Sequence, residues 1–137
     1  MRLVRRLIEL ISNHFTRDNT LSNHIAHLAA ANRVKVIIDP TTKDSSSILK
    51  HEIYVRSPVN DDITYAIALH ELGHILSPNQ AYCEDYNLVH LFGPTDKIKG
   101  LEIDAWTWAR KTALQWTPAM ESIAKISLET YGIVEPL

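Results

Sequence analysis

One five-residue stretch constrains this chain more than any other: His70-Glu71-Leu72-Gly73-His74. It lies in a run from Ile63 to Leu76 whose apolar residues recur at intervals of three and four, which predicts a helix. Three residues able to cap a helix stand at positions 60–62, and Pro78 follows the run. The sequence therefore predicts one helix that carries two histidines a single turn apart.

The spacing of the two histidines suits a metal ion. Residues four apart lie on one face of a helix, so His70 and His74 can offer two imidazole nitrogens to one ion. A catalytic zinc site uses such ligands and keeps one position open for water. Glu71 is rotated about 100° from His70, where it can accept a proton from water whose pKa zinc lowers to about 7. The pattern predicts zinc-dependent hydrolysis of an amide bond; a buried helix that holds two histidines by chance is the alternative interpretation.

Two histidines do not complete a zinc site, so a third ligand must come from elsewhere. The metzincin continuation of the motif needs Gly and His at positions that Ser77 and Gln80 occupy, which excludes that class. The other common solution is a carboxylate from a later helix. A predicted helix at 97–116 offers both Glu102 and Asp104.

Glu102 and Asp104 point about 200° apart on a helix, so only one of them can face the ion. Glu102 shares its face with Ala105 and Ala109, small residues that let one helix lie close to another. A close approach would also explain Gly73, since glycine costs about 1 kcal/mol in a helix interior. We therefore expect Glu102 to be the ligand and Asp104 to accept a hydrogen bond from a ligand histidine.

Composition narrows the class of protein. With 137 residues, 45% of them hydrophobic and 22% charged, the chain predicts a single globular domain over 1–137. A net charge of −2 without a basic block argues against nucleic-acid binding. Cys83, the one cysteine, excludes an internal disulfide and is expected to be a small buried residue. Glu9 interrupts the apolar N-terminus, so 1–11 predicts an amphipathic helix rather than a signal peptide, in a cytoplasmic protein with no membrane span.

The remaining patterns predict an α+β fold in which helices pack around a small sheet and the motif helix faces the helix of Glu102. The further predicted helices cover 21–32, 84–91 and 118–131, and the predicted strands cover 34–39 and 48–56. The polar stretch 41–47 predicts a mobile loop. Residues 51–56 could hold an extended substrate by strand addition if they lie at a sheet edge.

Two motifs together resemble the ImmA/IrrE family of zinc metallopeptidases, a gluzincin-type group. That family pairs His-Glu-x-x-His with a downstream Glu-x-x-Ala-x-x-aromatic-Ala helix, whose places are taken here by Glu102, Ala105, Trp108 and Ala109. A strand just ahead of the motif helix is also similar, and the resemblance covers roughly 34–114. The family often continues with an apolar pair and Met-Pro, where this chain has 113–118, Ala-Leu-Gln-Trp-Thr-Pro.

The resemblance implies a zincin-like fold and a bacterial or phage hydrolase. It implies Zn²⁺ held by His70, His74 and Glu102, with a protein substrate whose peptide bond is cleaved. Members of the family often cleave repressor-type regulators, so a regulator is the expected class of substrate.

Two questions stay open at this point. Such a mechanism needs a donor that stabilises the oxyanion, and the candidates are Tyr65, Tyr82, Tyr86 and His90. The rival function is a zinc-stabilised module that binds a partner protein without cutting it. Glu71 argues against that rival, because a purely structural site needs no base.

Overall fold

The structure is a computed structural model that describes residues 19–79 and 83–134. Within these ranges it is an α+β protein, with five α-helices, a 3-10 helix and a small mixed sheet, which confirms the predicted fold class. The predicted helix at 1–11 lies outside the described residues. None of the described helices has the length and apolarity needed to cross a membrane.

The elements follow one another in the order helix, three strands, then helices. They are α1 (19–31), β1 (Lys35–Ile38), β2 (Ser45–Ser47), β3 (Glu52–Val55), α2 (Asp62–Leu76), the 3-10 helix (Glu84–Leu88), α3 (Val89–Phe92), α4 (Asp96–Thr112) and α5 (Pro118–Thr130).

The sheet has β3 at its centre. Its strand order is β1-β3-β2, with β1 parallel and β2 antiparallel to β3, so that Val36 and Ser46 both lie opposite Ile53. The prediction of a mobile loop at 41–47 is therefore wrong at its end, which forms β2. The predicted strand at 48–56 begins only at Glu52, because 48–51 form the turn between β2 and β3, in which His51 has a φ of 57°.

The central place of β3 also excludes it as a docking edge. Both of its edges are paired, one with β1 and the other with β2, and Ile53 and Val55 are buried in the core. Residues 51–56, which could hold a substrate only at a sheet edge, therefore form a core strand. Within the described residues, the strand at this edge of the sheet is β2.

Helix α2 is defined at both ends by local hydrogen bonds. The Asp61 side chain accepts from the Thr64 backbone N–H, while the Thr64 hydroxyl bonds back to the Asp61 backbone, which is a capping box. At the other end the Ser77 N–H bonds to the Gly73 carbonyl, just before Pro78. The helix lies at the predicted place and is largely buried.

Helix α2 packs most closely against α4 at Gly73. A Cβ on Gly73 would lie 2.5 Å from the carbonyl oxygen of Ala105 and 3.1 Å from its Cα. Ala105 and Ala109 are fully buried, and their small side chains allow this approach. The close contact predicted from the glycine and the alanine strip is confirmed.

Helix α4 ends at Thr112 rather than at the predicted 116. The backbone N–H of Leu114 donates to the hydroxyl of Tyr65 instead of to a helical carbonyl. The Thr117 hydroxyl caps α5 and also donates to Asp62. These tertiary hydrogen bonds hold 113–117 as an extended connection against the first turn of α2.

The contact at Gly73 can be tested with a matched pair of glycines. Gly73→Ala should lower the free energy of unfolding by about 1–3 kcal/mol, because the new methyl group meets backbone atoms that cannot move aside. Gly100→Ala, in an exposed turn of α4 with open space around it, should raise that free energy by about 0.4–1 kcal/mol. Urea denaturation measures both, and equal effects of the two substitutions would contradict the close packing.

Candidate functional site

Four ionisable side chains meet between α2 and α4. The Nε2 atoms of His70 and His74 lie 3.1 Å apart. The carboxylate of Glu102 reaches both, with Oε1 3.3 Å from His70 Nε2 and Oε2 2.6 Å from His74 Nε2. Glu71 approaches the opposite side of the first ring, with Oε2 3.4 Å from His70 Nδ1. The structure thus brings together the four residues predicted for the site.

Burial and stacking fix the orientation of this cluster. Glu102 is 1% exposed, and His70 and Glu71 are 8% and 6% exposed. The ring of Trp106, one turn after Glu102 on α4, stacks on His70 with centroids 4.2 Å apart and planes 10° apart. Trp106 also donates from its indole N–H to Ser127 of α5. One helix therefore supplies both a carboxylate and the aromatic wall that holds His70.

Tyr86, from the 3-10 helix, completes the surroundings of Glu102. Its hydroxyl donates to Glu102 Oε2 at a distance of 2.8 Å, and its ring meets His74 edge-on. This hydrogen bond reaches the same Glu102 oxygen that His74 contacts, and it helps to orient the carboxylate. Tyr86 was a candidate for the oxyanion donor, but its hydroxyl donates its hydrogen bond to Glu102.

The charges of the cluster strongly shift the pKa values of His70, Glu102 and the adjacent Tyr86. Burial lowers the pKa of His70, but the carboxylates of Glu71 and Glu102 outweigh that effect and raise it to about 10. Burial raises the pKa of Glu102, yet hydrogen bonds and charge from His70 and His74 hold it well below its usual range. Burial and the charge of Glu102 raise the pKa of Tyr86. Two buried carboxylates therefore create a field that favours positive charge between the rings.

A cavity of about 350 Å³ opens onto the cluster. One wall is β2 with its neighbours Asp44 and Ile48, and the opposite wall comes from α4 and the 3-10 helix. Cys83, buried as predicted, also lines this cavity. The site is thus an open cleft beside an edge strand, with the ionisable cluster at its base.

Tyr131 is a site residue that sequence reasoning missed. It follows the last turn of α5 and lines the same cavity, half-buried. Burial, together with the charges of Glu102 and Glu71, raises the pKa of Tyr131 to about 12. Nothing in the local sequence links it to the motif helix, because only the packing of α5 brings it there.

Three other residues predicted to serve the site, Asp104, Tyr65 and His90, lie outside the cluster. The Asp104 carboxylate is half-buried, does not line the cavity and makes no hydrogen bond to a histidine within 19–79 and 83–134. Tyr65 is fully buried, and its hydroxyl joins His24 Nδ1 at 2.6 Å to the N–H of Leu114 at 2.9 Å. His90 is exposed on α3, away from the cavity lining. Tyr82 lies outside the described residues.

Comparison with known proteins adds no relative. No protein-family model matches the chain, no curated protein matches it, and no solved structure matches it. The resemblance to ImmA/IrrE peptidases therefore rests on the two motifs, and the function must be argued from the geometry of the site.

The assignment of Tyr65 to the framework leads to a test. Tyr65→Phe should lower the free energy of unfolding by about 1–3 kcal/mol, because the hydrogen bonds of the buried hydroxyl to His24 and to the N–H of Leu114 are both lost. Tyr54→Phe removes a hydroxyl whose one hydrogen bond within the described residues is to Glu52, two residues away on β3, and it should change stability far less. Thermal or urea unfolding of both variants measures this, and a Tyr65→Phe variant as stable as the wild type would contradict the structural role.

Proposed function

We propose that this protein is a zinc-dependent endopeptidase that hydrolyses a peptide bond in a protein substrate. One observation carries the proposal: two imidazole nitrogens and a carboxylate converge at the base of an open cleft, with a second carboxylate beside them. Structural zinc sites are closed by four protein ligands, whereas three ligands in a cleft leave a position for water and substrate.

The spacing of the donor atoms fits a zinc ion. Ligands in a tetrahedral site with bonds of 2.0–2.1 Å lie about 3.3 Å from one another. The separations of 3.1 Å between the two Nε2 atoms and 3.3 Å from His70 Nε2 to Glu102 match this value. The 2.6 Å contact of His74 with Glu102 is shorter, as in a charge-assisted hydrogen bond.

Glu102 is a better third ligand than Glu71, although both carboxylates are close. The donor atoms of His70, Glu71 and His74 lie within 4.8 Å of one another, so that trio also satisfies a distance criterion. However, Glu71 approaches Nδ1 of His70, whereas Glu102 contacts the Nε2 atoms of both rings. Because the Nε2 atoms of His70 and His74 converge, an ion between them would contact Glu102, and Glu71 would remain available as a base.

The mechanism assigns each side chain one task. His70, His74 and Glu102 would hold a zinc ion, whose charge would polarise a carbonyl and lower the pKa of water. Glu71 accepts a proton from a water molecule while the oxygen of that water bonds to the carbonyl carbon. Glu71 then gives that proton to the amide nitrogen as the carbon–nitrogen bond breaks, which leaves a carboxylic acid and an amine. Trp106 and Tyr86 hold His70 and Glu102 in place.

The open edge of β2 gives the substrate a place to bind. Within the described residues β2 pairs only with β3, so its outer edge offers free backbone groups beside the cleft. An extended peptide can add to such an edge through backbone hydrogen bonds. The substrate class that this favours is an unfolded or flexible protein segment, as in the linker of a regulator.

The ligand assignment predicts metal content and its loss. Native mass spectrometry of the purified chain should find one zinc ion per chain. Glu102→Gln, which keeps the shape but removes the charge, should weaken zinc binding by more than about 100-fold, beyond the 10–100-fold typical of a supporting residue. Competition with a chromogenic chelator measures the affinity.

Asp104→Asn is the matched control for that experiment. It removes a carboxylate on the same helix that does not line the cleft, so zinc affinity should stay near that of the wild type. A larger loss for Asp104→Asn than for Glu102→Gln would overturn the assignment. A wild-type chain that takes up no zinc, even after reconstitution, would refute the proposed function.

Catalysis is tested at Glu71. The zinc-loaded wild type should cleave an unstructured protein such as casein, or the product of an adjacent gene. Glu71→Gln should keep its zinc and its fold but lose about 10²–10⁴-fold in rate, as when a general base is removed. Glu129→Gln, on the exposed face of α5 and outside the cleft, should cleave like the wild type. A fully active Glu71→Gln variant would refute the mechanism, and zinc binding without any cleavage would favour the non-catalytic binding module.

A further inference from the structure

Peptide hydrolysis in this cleft needs a hydrogen-bond donor for the oxyanion. None of the three predicted candidates within the described residues supplies it. Negative charge develops on the carbonyl oxygen as water adds, and a donor fixed at that position commonly contributes 10²–10³-fold to the rate. Tyr65 is engaged with His24 and Leu114 beyond the cleft, and Tyr86 donates its proton to Glu102. His90 does not line the cavity.

Tyr131 has the properties that this task requires. Its side chain lines the cleft together with Glu71, His70 and Glu102. Its hydroxyl makes no hydrogen bond to any part of the chain that the structure describes, so its proton is available to a ligand. A phenol has an ordinary pKa of about 10, so it keeps that proton at neutral pH.

The backbone holds Tyr131 in a fixed place. Its N–H bonds to the carbonyl of Leu128, and the next two N–H groups bond to Glu129 and again to Leu128. Gly132 makes this turn possible, because its φ of 73° is one that other residues rarely adopt. The closed helix terminus fixes the backbone that carries the donor, which reduces the reorganisation needed when charge develops.

We propose that the Tyr131 hydroxyl donates a hydrogen bond to the carbonyl oxygen of the substrate as that oxygen gains negative charge. This inference rests on the proposed peptidase function and deepens it. It assigns different roles to the two tyrosines of the cleft: Tyr86 orients a metal ligand, and Tyr131 contacts the reacting group.

Anion binding to the cobalt-loaded protein tests the assignment without a known substrate. Methylphosphonate, a tetrahedral anion that resembles the hydrated carbonyl, is titrated against the visible absorption of bound Co²⁺. Tyr131→Phe should bind methylphosphonate about tenfold more weakly, as expected when one hydrogen bond to a charged acceptor is lost. Its affinity for Co²⁺, its thermal stability and its affinity for the neutral ligand imidazole should be unchanged.

Two further variants make the result specific. Tyr86→Phe should instead weaken Co²⁺ binding, because the Glu102 carboxylate loses its donor. Tyr54→Phe, which removes a hydroxyl outside the cleft, should change none of these quantities. With a cleaved substrate, Tyr131→Phe should lower kcat by about 10²-fold at constant KM.

The outcomes separate this inference from the function on which it rests. Equal methylphosphonate affinity in Tyr131→Phe and wild type would overturn the role of Tyr131 while leaving the metal site intact. Parallel loss of imidazole and methylphosphonate binding would also overturn it, since it would indicate a general change of the cleft. A wild-type chain that binds neither Co²⁺ nor Zn²⁺ would overturn both the inference and the proposed function.

Discussion

The close contact between α2 and α4 at Gly73 is the constraint on which the site depends. The carbonyl of Ala105 occupies the space that a side chain at position 73 would fill, so the two helix backbones lie nearly in contact. Glu102 stands one turn before Ala105, and this proximity lets its carboxylate reach both His70 and His74. A larger residue at position 73 would push α4 away and withdraw the carboxylate. The glycine inside the motif is thus as necessary to the geometry as the histidines around it.

The buried cluster is costly to the fold, which is a physical argument for its use. Taking carboxylates and imidazoles out of water carries a desolvation penalty that their mutual attraction only partly offsets. Apolar residues of similar volume between α2 and α4 would pack at lower cost. Instead the chain buries Glu102 almost completely, surrounds it with two histidines and adds the Tyr86 hydroxyl. Strongly shifted pKa values of this kind concentrate at functional sites, because function requires charges that stability alone does not favour.

Patterns carried by contiguous residues were predictable, and features set by distant contacts were not. The course of α2, its capping residues and its close approach to α4 follow from periodicity, a short acceptor side chain and a single glycine. By contrast, β2 consists of three serines, which have no apolar alternation, and only pairing with β3 makes them a strand. Helix α4 stops early because Tyr65, far away in sequence, binds Leu114. Tyr131 reaches the cleft through the packing of α5, which no local pattern reports.

The serine strand is suited to the edge of a sheet, and within the described residues it pairs only with β3. An exposed strand edge invites pairing with other chains, and proteins limit this risk with short strands and polar residues. With three residues, all serine, β2 offers backbone groups to a short extended peptide but little apolar surface for a stable association. The apolar strand β3 would be a liability at an edge and is buried at the centre instead. The small serine side chains line the same cavity as Glu71, so a peptide bound there, as we propose, would be held by its backbone more than by its side chains.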